Sequence, residues 1–179
     1  MTSMTKWTNI KWNGSRTLAM VMALAFSFLL PSCYSFKDIS IPPDVKTCRI
    51  DYIDNKARYV NPTLSPQLTN KLRDKVIGQT RLALIQGEEA DYLVTGYISD
   101  YSLTTTGISN KEAASNRLNI TVHIEFKNRK DESKNFEADV TRNFDFSASL
   151  SLQQAEAQLN ETIIRNLSDE IFNRIFSNW

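Results

Sequence analysis

The sequence predicts an α+β fold, a two-layer sandwich with two helices on one face of a four-stranded mixed sheet, in the order β-α-β-β-β-α. Three observations carry that expectation. Leu118, Ile120, Val122, Ile124 and Phe126 alternate without a break with Asn119, Thr121, His123 and Glu125, the period of a half-buried strand. Leu152, Ala155, Leu159, Ile163, Leu167, Ile171 and Ile175 step by three or four residues, the period of an amphipathic helix. Leu68, Leu72 and Val76 repeat that helical spacing nearer the front, between segments of strand character.

The first strand is expected over residues 46–53, where Cys48, Ile50 and Tyr52 share one face and Thr47, Arg49 and Asp51 the other. A polar stretch from Asp54 to Leu64 follows, with Asn61-Pro62 marking a turn. Ser65-Pro66 supplies an N-cap and a proline at the first helical position, predicting a helix over residues 66–85 that stops near Gly87. Ile77 and Leu84 extend its apolar stripe. Residues 91–103 read as a second strand with apolar groups on both faces. Tyr92, Val94 and Ile98 form one set, and Leu93, Tyr97, Tyr101 and Leu103 the other. Either both faces are covered within the domain, or the set with Tyr97 meets a partner.

Residues 104–115 are polar and read as a loop, and the alternating strand comes next. The charged segment 128–134 reads as a hairpin connection, after which Phe136, Ala138 and Val140 alternate again, with Phe144 and Phe146 continuing the strand after a bend. Ser151 and Gln154 have the spacing of a capping box and open a final helix of about 24 residues. So broad an apolar face needs a sheet to lie on. Short connections make the last three strands an antiparallel meander, and both helices cover one of its faces.

The front of the chain is of another character. Residues 1–32 contain Lys6, Lys11 and Arg16 and no acid, then run apolar from Leu18 to Leu30, broken only by Ser27. That is the order of a bacterial export signal. Thirteen helical residues reach roughly 20 Å, short of a hydrocarbon core of about 30 Å. The run ends Leu30-Pro31-Ser32-Cys33, which resembles a lipobox, the site where lipoprotein signal peptidase cleaves before an acylated cysteine. Pro31 is unusual in the middle position. The alternative is an ordinary export signal followed by an unrelated cysteine. Residue 34 is Tyr rather than Asp, which favours the outer over the inner membrane. The expected organisation is therefore a signal peptide over 1–32, a lipidated tether over 33–44 containing Pro42-Pro43, and one α+β domain over 45–179. Several acyl chains on Cys33, palmitate among them, would hold that domain where one chain binds only marginally.

Residues 33–179 number 147, enough for one domain with a real core. Of the 21 basic residues 18 remain, against 20 acidic ones, a net of −2, so nothing points to nucleic acid as a partner. With Cys33 acylated, Cys48 has no intrachain partner; it reads as a small buried hydrophobe, the alternative being a surface thiol awaiting an intermolecular bridge. His123 is the only histidine and lies on the polar face of its strand. It reads as a solvated or interface residue. No catalytic set, metal-ligand spacing or phosphate loop accompanies it, so neither an enzyme nor a cofactor is expected. Trp179 follows a helix and reads as a packing residue.

Pro43-Asp44-Val45-Lys46-Thr47, Val60-Asn61-Pro62-Thr63-Leu64-Ser65, Gln79-Thr80-Arg81-Leu82, Asn116 to Val122 and the closing Asn178-Trp179, taken in order, resemble a divergent branch of the LptE-type lipopolysaccharide-assembly lipoproteins. The resemblance implies a two-layer domain, acylation at Cys33, and partnership with LptD, the outer-membrane β-barrel translocon that the lipoprotein plugs and helps to assemble. Lipopolysaccharide itself is a further ligand it suggests. Barrel interiors are polar, and the polar face from Arg117 to Lys127 would suit one, as it would suit solvent. The competing expectation is a lipid-anchored periplasmic scaffold for another cell-envelope complex.

Overall fold

The computed structural model describes residues 41–109 and 112–177. Cys33, the signal segment, most of the tether and Trp179 lie outside the described residues. The described chain is an α+β sandwich. Its elements are β1 (Thr47–Ile50), β2 (Asp54–Asn55), α1 (Leu64–Gln79), β3 (Ala83–Leu84), β4 (Tyr92–Ser109), β5 (Glu112–Asn128), β6 (Phe136–Ser147) and α2 (Leu152–Phe176).

The sheet has six strands rather than the four expected. Its order is β3-β1-β4-β5-β6, with β2 pairing β4 beyond the end of β1. β1 runs parallel to β3 and β4, and β4, β5 and β6 form the expected antiparallel meander. The extra strands, β2 and β3, are two residues long each, too short to show a period. They exist because the neighbouring strand offers a ladder: Ala83 N–H bonds to the Lys46 carbonyl at 2.9 Å and Lys56 N–H to the Ile98 carbonyl at 2.9 Å.

The first helix is shorter than its apolar stripe suggests and starts earlier. Thr63, not Ser65, is the N-cap. Its backbone is held by Asn61, whose Oδ1 accepts from Thr63 N–H at 3.0 Å and Thr63 Oγ1 at 2.9 Å, so an Asx turn replaces the side-chain cap. Pro66 falls inside the first turn, where its missing N–H has no intrahelical partner to lose. Thr80 ends the helix at Gln79 instead of residue 85. Its Oγ1 donates to the Val76 carbonyl at 2.7 Å and accepts from Leu82 N–H at 3.1 Å while its own backbone turns extended. Leu84 is therefore in β3, and Ile77 is 59% exposed on the outer side of α1.

The largest difference lies at residues 104–115. Residues 104–109 and 112–115 are strand rather than loop; β4 and β5 pair from Tyr92–Asn128 as far as Ser109–Glu112. At about 3.3 Å per residue the hairpin is roughly 55 Å long. A threonine run, Thr104–Thr106, suits a strand by β-branching even without apolar alternation, and β5 supplies its partner. β6 likewise stays in register with β5 from Phe136–Phe126 to Ser147–Ser115, with no bend.

A bulge at Ser99 corrects the faces of β4. Ile98 pairs Val122 and Asp100 pairs Thr121, so Ser99 is one residue too many. Side chains beyond it change sides. Leu93 and Tyr97 do stand opposite Tyr92, Val94 and Ile98, but Tyr101 and Leu103 join the helix-side set.

On the helix side Leu118, Ile120, Val122, Ile124 and Phe126 are all fully buried. Leu68, Leu72 and Val76 of α1 and Ile163, Leu167, Ile171, Phe172, Ile175 and Phe176 of α2 close over them in one core. The capping box forms as expected, with Gln154 N–H to Ser151 Oγ at 3.3 Å and Ser151 N–H to Gln154 Oε1 at 2.9 Å. Cys48 is buried in this core, and burial pushes its thiol up to about 12, which leaves it protonated and inert.

Candidate functional site: the open face of the sheet

Both helices lie on one side, so among the described residues no layer covers the other face of the sheet. Its side chains come from the odd positions of β5 and β6 and from β4 on both sides of the bulge. Backbone pairing brings His123 between Tyr97 and Asp139. The imidazole Nδ1 is 2.8 Å from Asp139 Oδ1, and Nε2 is 3.8 Å from Glu137. The Tyr97 ring is 5.0 Å from the imidazole, and Lys56 Nζ caps that ring at 4.3 Å. A lysine from the segment after β2, a tyrosine from β4, a histidine from β5 and an aspartate from β6 thus form one row.

The remaining charges of this face are paired in the same way. Arg117 grips Asp145 with two hydrogen bonds, of 2.6 and 2.9 Å, and this holds the Asp145 carboxyl below its ordinary range. Lys127 lies 2.7 Å from Glu125; that bond lowers the Glu125 carboxyl, and Thr95 Oγ1 donates to the same carboxylate at 3.2 Å. Arg49 forks onto Asp51 at 2.6 and 3.1 Å. Thr121 and Thr141 share a hydroxyl bond of 3.0 Å between these pairs. The surface that results is polar, with Arg117, Lys127 and Arg49 each bonded to a carboxylate on it.

His123 therefore sits where its alternation placed it, on the polar face with Arg117, Asn119, Thr121, Glu125 and Lys127. Sequence reasoning missed Lys56, Asp139 and Asp145, because their membership depends on register rather than on any local pattern. The opposite-charge pairing of Arg117 with Asp145 is a signal only once β5 and β6 are aligned.

At the end of the sheet where the chain enters the domain, Asp91 accepts hydrogen bonds from Lys46 N–H at 2.9 Å, Thr47 N–H at 3.1 Å and Thr47 Oγ1 at 3.0 Å. The backbone donor of Lys46 does most to lower its carboxyl, to about 2. Beside it is a cavity of about 370 Å³ whose walls include Pro42, Asp44, Val45, Tyr92, Lys130 and Asp131. Its lining carries both signs of charge. Among the described residues no group of three His, Cys, Asp or Glu is placed to hold a metal ion. Among them no helix is long and apolar enough to cross a membrane.

Comparison with known proteins gives the chain its family. No curated protein sequence matches it. Among solved structures, a minor lipoprotein from Acinetobacter baumannii superposes with a TM-score of 0.51 at 16% identity, covering 74% of this chain and 94% of its own. The hypothetical protein CT253 from Chlamydia trachomatis superposes with a TM-score of 0.50 at 7% identity, covering 75% of this chain and 99% of its own. At such identities these two establish a shared fold. The LptE (lipopolysaccharide-assembly) family matches residues 45–175, from the residue before Lys46 to the last turn of α2. The chain belongs to the LptE lipopolysaccharide-assembly family.

Proposed function

We propose that this chain is an outer-membrane lipoprotein that partners the LptD β-barrel, plugs its lumen, and assists barrel assembly and the insertion of lipopolysaccharide into the outer leaflet. The observation that carries the reading is the family match over residues 45–175. In this reading residues 1–32 are removed on export through the periplasm and Cys33 is acylated. Residues 33–44 tether the domain, residues 45–179, to the membrane.

The domain acts without turning over a substrate. A plug needs a self-sufficient core and an outer surface that tolerates a polar lumen. The buried helix side supplies the first, and the open face, with its charges paired among themselves, supports the second.

Three experiments test this. Intact mass of the native protein is expected to show a chain beginning at an acylated Cys33, and an unmodified Cys33 would overturn the anchor. Photocrosslinking from Asn119, Thr121 and Asp139 in living cells is expected to capture the barrel. Depletion is expected to leave the barrel misassembled and lipopolysaccharide short of the surface. Crosslinks only to other envelope proteins, with LptD assembly intact on depletion, would instead establish a scaffold of a different complex.

A further inference from the structure

β6, and β4 beyond Ile98, each present an edge of the sheet, and the two edges differ. Among the described residues β6 has one edge unpaired along its whole length, and it is guarded. Glu137, Asp139 and Asp145 line its open face, and Arg142 points to the helix side and bonds Glu170. Charges, including inward-pointing ones, are how sheets keep an edge from recruiting another strand.

β4 has a free edge as well. β1 pairs it at Tyr92–Val94 and β2 at Tyr97–Ile98, after Asp51 N–H has bonded the Val94 carbonyl and Lys56 N–H the Ile98 carbonyl. Among the described residues no strand lies along that side beyond Ile98. From Tyr101 to Ser109 the strand contains no charged residue and no proline. Leu103 is 47% exposed, and Thr104, Thr105 and Thr106 are exposed after it.

The direction of the backbone groups follows from the ladder. Val94 and Ile98 send their carbonyls outward, and they pair Phe126 and Val122. Leu103 and Thr105 pair Leu118 and Asn116, positions of the same parity on β5, so their N–H and C=O groups also point out of the sheet. The edge therefore presents, among others, the donor–acceptor pairs of Leu103 and Thr105, one strand repeat apart. On the helix side it is bordered by Leu103 and by Tyr59, whose ring stacks on Tyr101 at 5.2 Å, with Val60 exposed next to it. On the other side it is bordered by Ser102 and Thr104.

We infer that this edge of β4 takes up an extended, uncharged segment of the partner polypeptide as an added strand, its side chains alternating apolar toward Leu103 and Tyr59 and small polar toward Ser102 and Thr104. The inference rests on the barrel reading above. A closed barrel wall has no unpaired edge to offer, so the added strand comes from a loop or terminal segment of the partner rather than from the wall itself. Neutrality of the edge fits a neutral strand, whereas the guarded edge of β6 would repel one.

Backbone hydrogen exchange tests this on the mature acylated chain, alone and co-purified with LptD. In the isolated chain the amides of Leu103 and Thr105 are expected to exchange fast, and those of Ser102 and Thr104, paired to β5, slowly. In the complex Leu103 and Thr105 should gain about 100-fold protection or more, and the Asn143 amide on the edge of β6 should not change. Leu103→Pro removes an outward N–H at a place where an edge strand tolerates proline, and it should weaken capture of the barrel about tenfold. Leu103→Thr keeps the N–H and should retain most of that capture. A complex that forms without protection at Leu103 and Thr105 overturns the added strand while leaving the plug standing. Absence of any complex overturns the plug. Concentration-dependent protection in the isolated chain would make a second copy the occupant and overturn the partner assignment. If Leu103→Pro fails to melt like the unaltered chain, exchange in the unaltered chain decides alone.

Discussion

The two sides of β5 are built from adjacent residues and do opposite work. Ile120 and Val122 are fully buried in the hydrophobic core, whereas Asn119, Thr121 and His123 between them reach other polar side chains. Burial of apolar area holds the first set and gives the domain its stability. On the polar side of the strand Arg117 pairs with Asp145 and Lys127 with Glu125, and exposed pairs of this kind contribute about 0–1 kcal/mol. A two-layer fold thus separates stability from recognition across the thickness of one strand, leaving the open face freer to vary than the core.

The sharpest way to break that contrast is Ile120→Asp, which puts a charge into the fully buried side. It should cost ~4 kcal/mol or more and unfold the domain, read as loss of a cooperative thermal transition. A native-like melt would mean that the faces are reversed. Gly96→Ala probes the same side by shape alone. A Cβ there would stand 2.5 Å from the His123 carbonyl oxygen, a backbone atom that cannot swing away. We expect about 2–3 kcal/mol of destabilisation in urea titrations.

Asp91→Asn tests an ion between the two extremes, since its side chain is only 15% exposed. Its carboxyl is lowered from 3.8 to about 2 in the folded state, so its contribution is present above the unfolded value, near pH 4, and is lost as pH falls through 2. At pH 7 the variant should lose at most about 2 kcal/mol. The gap between the two proteins should narrow steadily from pH 5 to pH 2. A constant gap would place the effect in shape rather than charge. The smallest effect is expected on the open face, where His123→Ala should change stability by less than ~1 kcal/mol. A larger loss would show that this face supports the fold as well as covering it.

What could be read in advance follows from which interactions are local. The period of β5, the stripe of α2 and the Ser151–Gln154 box are each written within one segment, and each is present as expected. The termination of α1 by Thr80, the pairing of β2 and β3, and the strand character of residues 104–109 depend on what lies alongside. So does the assembly of the open face, where Lys56, Tyr97, His123 and Asp139 become neighbours only through register. Tyr101 stands on the helix side against its alternation for the same reason, because a period of two cannot announce that one residue will be skipped.

That skipped residue makes β4 a strand with a phase. Removing Ser99 would leave Asp100 opposite Thr121 and Tyr101 opposite Ile120, so the ladder would become regular and every later side chain would keep its face. Tyr101 would stay with Glu156, to which its hydroxyl donates at 2.5 Å. The bulge is thus the place between Ile98 and Leu103 where one residue can be lost without inverting the two surfaces of the outer hairpin. Changes in length beyond Ser109 would leave both in phase. Among relatives, single-residue gaps should therefore gather at the position of Ser99 and beyond Ser109, and avoid the regular ladder from Asp100 to Leu103.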